Sequence, residues 1–336
     1  RVGASGEHVE QVSDDELVAL VEKINALDIE AVAINFLFSY LNADDEKRVE
    51  EALPKHLFVS RSSTVLPVYR EYERGIATWL NAWLGPLMQR YIQNLQRQLS
   101  PSPVTIMQSS GGTIAAEQAA NRAVNLLLSG PAGGLSGAKF MADNADCTKI
   151  LTFDMGGTST DVALIEQELQ LTNEGHIGDY PVATPMVDMH TIGAGGGSIA
   201  YADQGGMLQV GPESAGADPG PACYGKQQIT ATVTDANVVL GRLRPDNFLG
   251  GKMKLDKTAA IQAVHTLATK LNLNLEETAE GILKLTNEHM SQALRAISVQ
   301  RGYDPKKFKL VCFGGAGGLH VCALAESLQM QQALVP

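Results

Sequence analysis

Apolar and polar positions fall into blocks along this chain, and each block predicts an element. Ser13-Asp14-Asp15-Glu16 forms a capping box that opens a helix to about Ala26. Residues 29–40 are almost wholly apolar and β-rich, which predicts a buried strand. A second helix is expected over 43–53, a short strand over 59–66, and one long helix over 71–99, kinked at Gly85-Pro86. Pro101-Ser102-Pro103 reads as a lobe boundary. Residues 104–107 form a strand that runs through Gln108–Thr113 into a helix over 114–120. Residues 310–313 form a strand that runs through Gly314–Gly318 into a helix over 319–328. Both segments therefore have the order strand, glycine loop, helix. Residues 257–271 and 275–300 carry apolar positions at helical spacing.

The most informative stretch is Asp154-Met155-Gly156-Gly157-Thr158-Ser159-Thr160-Asp161. It lies between apolar runs at 149–153 and 162–165, so it reads as strand, tight turn, strand. A Gly-Gly turn permits positive φ and lets backbone N–H groups converge into an anion nest, for which phosphate is the usual guest. Thr158, Ser159 and Thr160 add hydroxyl donors. Asp154, at a strand end, can hold Mg²⁺ directly or through water. In the two strand–glycine–helix segments, the glycines allow a ligand onto the backbone at a helix N-terminus.

The middle third offers further candidates. Gly193–Gly197 is another glycine-rich turn. Residues 211–225 are too rich in Gly and Pro for helix or strand, and a long loop of this kind is often functional. Thr232 to Asn237 opens a helix. Asp188 and His190 are two apart, so a strand points both to one face, as a metal pair or an acid/base pair. His320 follows the last glycine loop. Cys223 is expected in an exposed loop. Three look-alikes fail on physical grounds. Gly220–Lys226 fits the spacing of a P-loop, but Gln227 follows where a hydroxyl must reach Mg²⁺. Gly193-Ala194-Gly195 and Gly315-Ala316-Gly317 lack the third glycine of a dinucleotide fingerprint. Ser136 in Gly134-Leu135-Ser136-Gly137 falls inside an expected helix and reads as a packing residue.

Composition narrows the classes. With 336 residues, 44% hydrophobic, the chain is long enough for two packed lobes. A net charge of −11 without a basic block argues against nucleic-acid binding. No apolar run reaches the length of a membrane span, and the four cysteines form no CxxC pair, so the expectation is a reduced, cytoplasmic protein away from the membrane. The chain opens at Arg1 and stops at Pro336 as another strand begins, which reads as a fragment of a longer polypeptide.

The 154–161 hairpin and the 313–318 loop resemble the phosphate and adenosine motifs of the superfamily of actin, chaperone and sugar-kinase ATPases. A closer resemblance is to the hydantoinase A / 5-oxoprolinase family, which includes N-methylhydantoinase A and an acetone carboxylase subunit. It is carried by Arg70-Glu71-Tyr72-Glu73-Arg74, Asn81-Ala82, Met107–Gly112, Ser129–Gly134, Asp154–Asp161, Ile192–Ala200, Gly211–Gly225, Thr234–Asn237 and Gly314–His320. The resemblance implies an α/β fold of actin-like (ribonuclease H-like) lobes with mixed sheets flanked by helices. On that basis residues 1–100 belong to an N-terminal α/β lobe and 101–336 to the ATPase core. It implies ATP and Mg²⁺ as cofactors, and a cyclic amide (hydantoin, N-methylhydantoin or 5-oxoproline) phosphorylated on its carbonyl oxygen before hydrolysis.

The implied roles are Gly156, Gly157, Thr158, Ser159 and Thr160 on phosphate, and Asp154 on Mg²⁺ or its water. Asp161 would orient a water, and Gly314, Gly315, Gly317 and Gly318 would lie against adenosine. Asp188, His190 and Asp235 are the polar candidates on the substrate side. A hydantoinase B-type subunit is the implied partner. Family members carry a further Asp-x-Gly-Gly-Thr hairpin near their start that is absent here, so the Asp154 hairpin corresponds to the second phosphate loop. Two alternatives use the same residues: a subunit of an ATP-dependent, acetone-type ketone carboxylase, and a nucleotide-binding regulatory module without small-molecule chemistry.

Overall fold

The computed structural model describes every residue except Gln227, so the position that tells against a P-loop lies outside the described residues. The chain divides into two compact units, Arg1–Gly133 with Leu171–Val187, and Gly134–Gln170 with Asp188–Pro336. This division differs from the boundary expected at residue 100. The helix Glu71–Leu99 packs Ile92 against Ala116, Ala119, Ala120 and Leu126, which ties the segment after the prolines to the first unit.

In the first unit, the helix Asp14–Asn25 starts where expected. Ser13 Oγ accepts from the Glu16 amide, and the Ser13 amide donates to Glu16. The expected strand over 29–40 shortens to Ala31–Ile34, which pairs in parallel with Phe58–Arg61. Side chains take over the backbone beyond it. Phe36 N–H donates to Glu46, Phe38 N–H donates to Glu71, and Arg74 donates to the Phe36 carbonyl. Buried Glu46 also accepts from Ser62 Oγ and Ser63 N–H, so a helical turn, Ser62–Val65, replaces the end of the expected 59–66 strand. The helix Glu71–Leu99 is continuous through Pro86. The expected helix at 114 begins instead as a strand. Thr113–Ala115 folds back antiparallel on Thr105–Met107, and the helix starts at Ala116. That segment is a hairpin, so its glycines do not open a helix.

The second unit is built on a six-stranded mixed sheet. Its path runs His190–Ile192, Thr160–Glu166, Lys149–Met155, Lys309–Phe313, Ala333–Leu334, and Glu168–Leu169 pairs off Thr160–Glu166. The two long strands are antiparallel, and Lys309–Phe313 joins Lys149–Met155 in parallel. One face presents Leu151, Phe153, Met155, Val162, Leu164, Leu310 and Cys312. These residues share a buried cluster with Val264, Ile282, Met290 and Leu294 from the helices Lys257–Leu271 and Leu275–Ile297. Burying each large side chain contributes about 1.5–3 kcal/mol, so this face fixes the strand register and with it the position of the hairpin.

The stretch 211–225 is more ordered than its composition predicts. Leu208–Ser214 is a strand paired with Ser198–Ala202, and Ala222–Tyr224 forms a 3-10 turn. No helix among the described residues is long and apolar enough to cross a membrane.

Candidate functional site

Three glycine loops meet around one hairpin in the second unit. The strand register places Asp154 directly opposite Asp161, and Phe313 beside Asp154. The turn closes through Gly156 N–H donating to the Ser159 carbonyl at 3.0 Å. Neither Gly156 nor Gly157 takes the positive φ that the sequence led us to expect. Their value is close approach. Gly196 and Gly197 N–H donate to the Gly156 and Gly157 carbonyls at 3.0 and 2.6 Å. A Cβ on Gly195 would lie 2.7 Å from the backbone of Gly157 and Thr158. The Gly156, Gly157 and Ser159 carbonyls are thus taken up, while the N–H groups of Gly157, Thr158 and Ser159 have no protein acceptor among the described residues. Gly157 and Thr158 are exposed. Free N–H groups at an exposed turn suit an anion.

The third loop follows Phe313. Gly314 has φ +83°, and a Cβ there would sit 2.1 Å from Asp154 Oδ1 and 2.7 Å from the Met155 carbonyl. Ala316 N–H anchors the loop on that same Met155 carbonyl at 3.0 Å. Gly317 is a packing glycine, within 3.0 Å of Cys312 Sγ if it carried a Cβ, whereas Gly315 and Gly318 face open space. Only these two and Gly314 are available to a ligand.

Asp154 is half-buried, and no donor among the described residues reaches its carboxylate. Burial and then the Asp161 charge raise its pKa above the usual carboxylate range. Thr191 Oγ1 donates to Asp161 Oδ1 at 2.5 Å and holds that second carboxylate in place. Two facing carboxylates, one short of donors, beside free N–H groups form a donor set that fits a cation-bound phosphate. Among the described residues, no group of three or more His, Cys, Asp or Glu could hold a metal. A cation here would draw most of its oxygens from phosphate and water, as Mg²⁺ does.

Other expected site residues lie elsewhere. Thr160 is fully buried and its hydroxyl donates to the Ala194 carbonyl at 2.5 Å, so it holds the 193–197 loop and is closed to ligand. His190 pairs with Val162, and Thr191 pairs with Asp161. Strand alternation therefore puts His190 on the face opposite the two carboxylates. There it lines a cavity of about 510 Å³ with Tyr201, Gln209 and His289. Asp188 precedes that strand and is ion-paired with Arg301. The expected Asp188–His190 pair is thus not assembled, and neither residue joins the hairpin.

Asp235 is a structural cap. Its carboxylate accepts from the N–H groups of Ala222, Cys223 and Thr232 and from Thr232 Oγ1. Cys223 is buried, not exposed, and burial followed by Asp235 pushes its thiol pKa up. His320 is 1% exposed, with Nδ1 2.7 Å from Asn287 Oδ1. Burial, then Arg242, pulls its pKa down to about 4. Ser136 lies inside the helix Ser129–Asn144, as expected. Sequence reasoning missed the supporting parts: Gly195–Gly197 under the turn, Thr191 on Asp161, and Asn287 on His320. The triple glycine was the one visible signal among these.

Comparison with known proteins decides the family. The hydantoinase/oxoprolinase family model matches residues 74–336, and the hydantoinase/oxoprolinase N-terminal region model matches residues 1–57. The chain belongs to the hydantoinase/oxoprolinase family. It is 38% identical to caprolactamase subunit alpha of Pseudomonas jessenii, over 100% of this chain and 50% of that protein. The crystal structure of ATP-dependent caprolactamase from P. jessenii superposes with a TM-score of 0.86 at 38% identity, over 100% of this chain and 50% of that one. A 5-oxoprolinase of Pestalotiopsis fici is 39% identical over 91% of this chain and 25% of its own length. The nucleotide-free structure of acetone carboxylase, described for ATP-dependent acetone carboxylation, gives a TM-score of 0.83 at 30% identity, over 100% of this chain and 49% of that one. The fold is therefore the mixed α/β, actin-like ATPase type shared with these enzymes. The chain spans about half the length of several curated relatives it matches.

Proposed function

We propose that this chain carries the phosphate-binding half of an ATP-dependent enzyme that opens cyclic amides such as hydantoin, N-methylhydantoin or 5-oxoproline. The observation that carries the reading is the Asp154–Asp161 hairpin. It has two in-register carboxylates, three unpaired turn N–H groups, and a glycine loop that leaves no room for a Cβ beside Asp154. It occurs in a family whose relatives include a caprolactamase and 5-oxoprolinases.

In this reading Gly157, Thr158 and Ser159 hold the terminal phosphates through N–H and hydroxyl groups, and Gly156 shapes their turn. Asp154 holds Mg²⁺ or one of its waters, and the Mg²⁺ supplies charge neutralisation on the phosphate oxygens. Asp161, fixed by Thr191, orients a water or hydroxyl. Gly314, Gly315 and Gly318 offer bare backbone to the nucleoside. The γ-phosphoryl group passes to the amide oxygen and makes the amide carbon electrophilic. Water supplies the oxygens for ring opening and phosphate release, leaving ADP, phosphate and the ring-opened acid. The protein's contribution is position and charge stabilisation.

The acetone carboxylase match supports a second reading in which ATP activates a ketone toward bicarbonate. The names of the relatives, subunit alpha and beta subunit, support a hydantoinase B-type partner in either case. The test is ATP hydrolysis by the full-length protein with its partner, measured against 5-oxoproline, hydantoin, caprolactam, and acetone with bicarbonate. Lactam-dependent phosphate release with a stoichiometric amino acid product supports the first reading. Acetoacetate formation supports the second. Neither lactam- nor ketone-dependent turnover contradicts both.

A further inference from the structure

The helix Glu71–Leu99 carries a feature that nucleotide chemistry leaves unused. Along one side it exposes Tyr72 (65%), Trp79 (41%), Trp83 (68%), Leu87 (59%) and Tyr91 (59%). Positions 79, 83, 87 and 91 form one i, i+4 ridge, the row that packs into the groove of a facing helix. The indoles of Trp79 and Trp83 stack at 5.9 Å with 4° between planes, and Tyr180 packs against Trp79 at 5.2 Å. The surface is thus pre-arranged and has little side-chain freedom left to lose. Soluble proteins seldom leave a continuous apolar patch of this size uncovered.

We propose that this stripe is the contact surface for a second copy of this chain, around a two-fold axis near residues 81–82. A two-fold interface must be self-complementary, with residue i meeting j and j meeting i. The stripe meets that condition. Read forward it runs Tyr72, Ile76, Trp79, Trp83, Leu87, Tyr91, with Ile76 half-buried against Leu80, Val124, Val182 and Met186, and read backward it runs Tyr, Leu, Trp, Trp, Ile, Tyr. An antiparallel pair therefore sets Tyr72 against Tyr91, Ile76 against Leu87 and Trp79 against Trp83. The charge distribution agrees. From Gly75 to Leu99 the only charged residues are Arg90 and Arg97, and the acidic Glu71 and Glu73 of the first turn fall, in an antiparallel pair, at the end of the second copy that carries Arg90. The exposed parts of the five side chains come to roughly 600 Å² per copy at ordinary aromatic sizes. With flanking contacts this approaches the roughly 800 Å² per partner of a standard interface. Buried Trp and Tyr are the residue types that dominate such interfaces.

The chain contains only two tryptophans, and both lie on this stripe. Intrinsic emission is therefore a direct reporter of the contact. The experiment is sedimentation of the full chain over a concentration series, with tryptophan emission and iodide quenching read on the same samples. The expected result is a dimer whose emission shifts to the red and becomes quencher-accessible on dilution. Trp83→Glu should raise the dimer Kd by about 30-fold or more, while Trp83→Phe stays near wild type and both keep the wild-type circular dichroism. The dilution series does not depend on either variant folding. A monomer at tens of micromolar, tryptophans already shielded in a monomer, or a dimer indifferent to Trp83→Glu would each overturn the proposal.

Discussion

Two polar glycine turns in this molecule look alike in sequence and behave differently. Around Gly111-Gly112, in the first unit, the turn is tied to the surrounding chain. Gln108 N–H donates to the Gly112 carbonyl, Gly111 N–H to the Gln108 carbonyl, Ser109 N–H to the Asn125 carbonyl, and Ser109 Oγ to the Pro185 carbonyl. Around Gly156-Gly157, in the second unit, the carbonyls are taken and the Gly157, Thr158 and Ser159 N–H groups are left over, beside two facing carboxylates. Glycine content does not separate these cases. What separates them is which half of each peptide group the surrounding loops satisfy. A turn whose carbonyls are taken while consecutive N–H groups stay free beside two carboxylates suits an anion with its cation, and a turn tied down through its own N–H groups serves as a connector.

The largest expected effect comes from Gly314→Ala. A Cβ at φ +83° would meet Asp154 Oδ1 and the Met155 backbone, so the loop must move. We expect a cost of about 2–4 kcal/mol in stability and loss of nucleotide response, read by thermal shift with and without MgATP. Gly112→Ala, whose nearest neighbour is Ser110 Oγ at 4.0 Å, should change stability by less than about 0.5 kcal/mol. Equal effects at the two positions would dissolve the contrast.

Asp154→Asn should lower ATP turnover by about 10²-fold or more and at the same time raise the melting temperature of the ligand-free protein. The Asp154 pKa is raised in the fold, so the folded state binds the proton more tightly than the unfolded chain does. Its contribution to stability is full below the unfolded pKa and is lost as pH rises through the folded value. At neutral pH the charged carboxylate is therefore a burden that Asn removes.

His320 has the opposite sign. Its folded pKa, about 4, lies below the ordinary histidine value of 6.5, so the unfolded chain takes up the proton first. Stability should be full above pH 6.5 and fall as pH drops toward 4, by about 2–3 kcal/mol from this group alone. His320→Gln should flatten that slope in urea melts taken across the window.

Smaller effects separate the hydroxyls. Thr160→Val breaks a buried hydrogen bond to Ala194 and should cost about 1–2 kcal/mol, felt in stability first. Thr158→Val, at the exposed tip, should leave stability within about 0.5 kcal/mol and weaken ATP binding several-fold. The reverse ranking would mean that the tip hydroxyl is not facing ligand.

Much of the second unit was legible in the chain. The apolar runs at 149–153 and 162–165 set the strands, and the glycines between them set the turn. The capping box at Ser13 marked a helix start because a side chain three residues on completes it locally, and the helix expected after Thr232 proves to open on the same device with Asp235. The failures share one cause, long-range partners. Residues 35–40 look like strand but give their backbone to Glu46, Glu71 and Arg74, which the local pattern does not show. Residues 114 and 115 read as the start of a helix but are captured, with Thr113, by the 105–107 strand. At the site, Asp154 and Asp161 could be paired from hairpin register alone. Asp188 could not be assigned, because its partner, Arg301, is more than a hundred residues away in sequence. The same register that pairs the two carboxylates also excludes His190 from their face.

Isothermal titration of the full-length protein with ATP, with and without Mg²⁺, in wild type and Asp154→Asn, asks whether the nucleotide sits on the Asp154 hairpin. Saturable, Mg²⁺-dependent binding is expected in the wild type, lost or weakened by at least about 30-fold in a variant that stays folded. Wild-type-like MgATP binding by Asp154→Asn, or no binding by the full-length wild type, would contradict it.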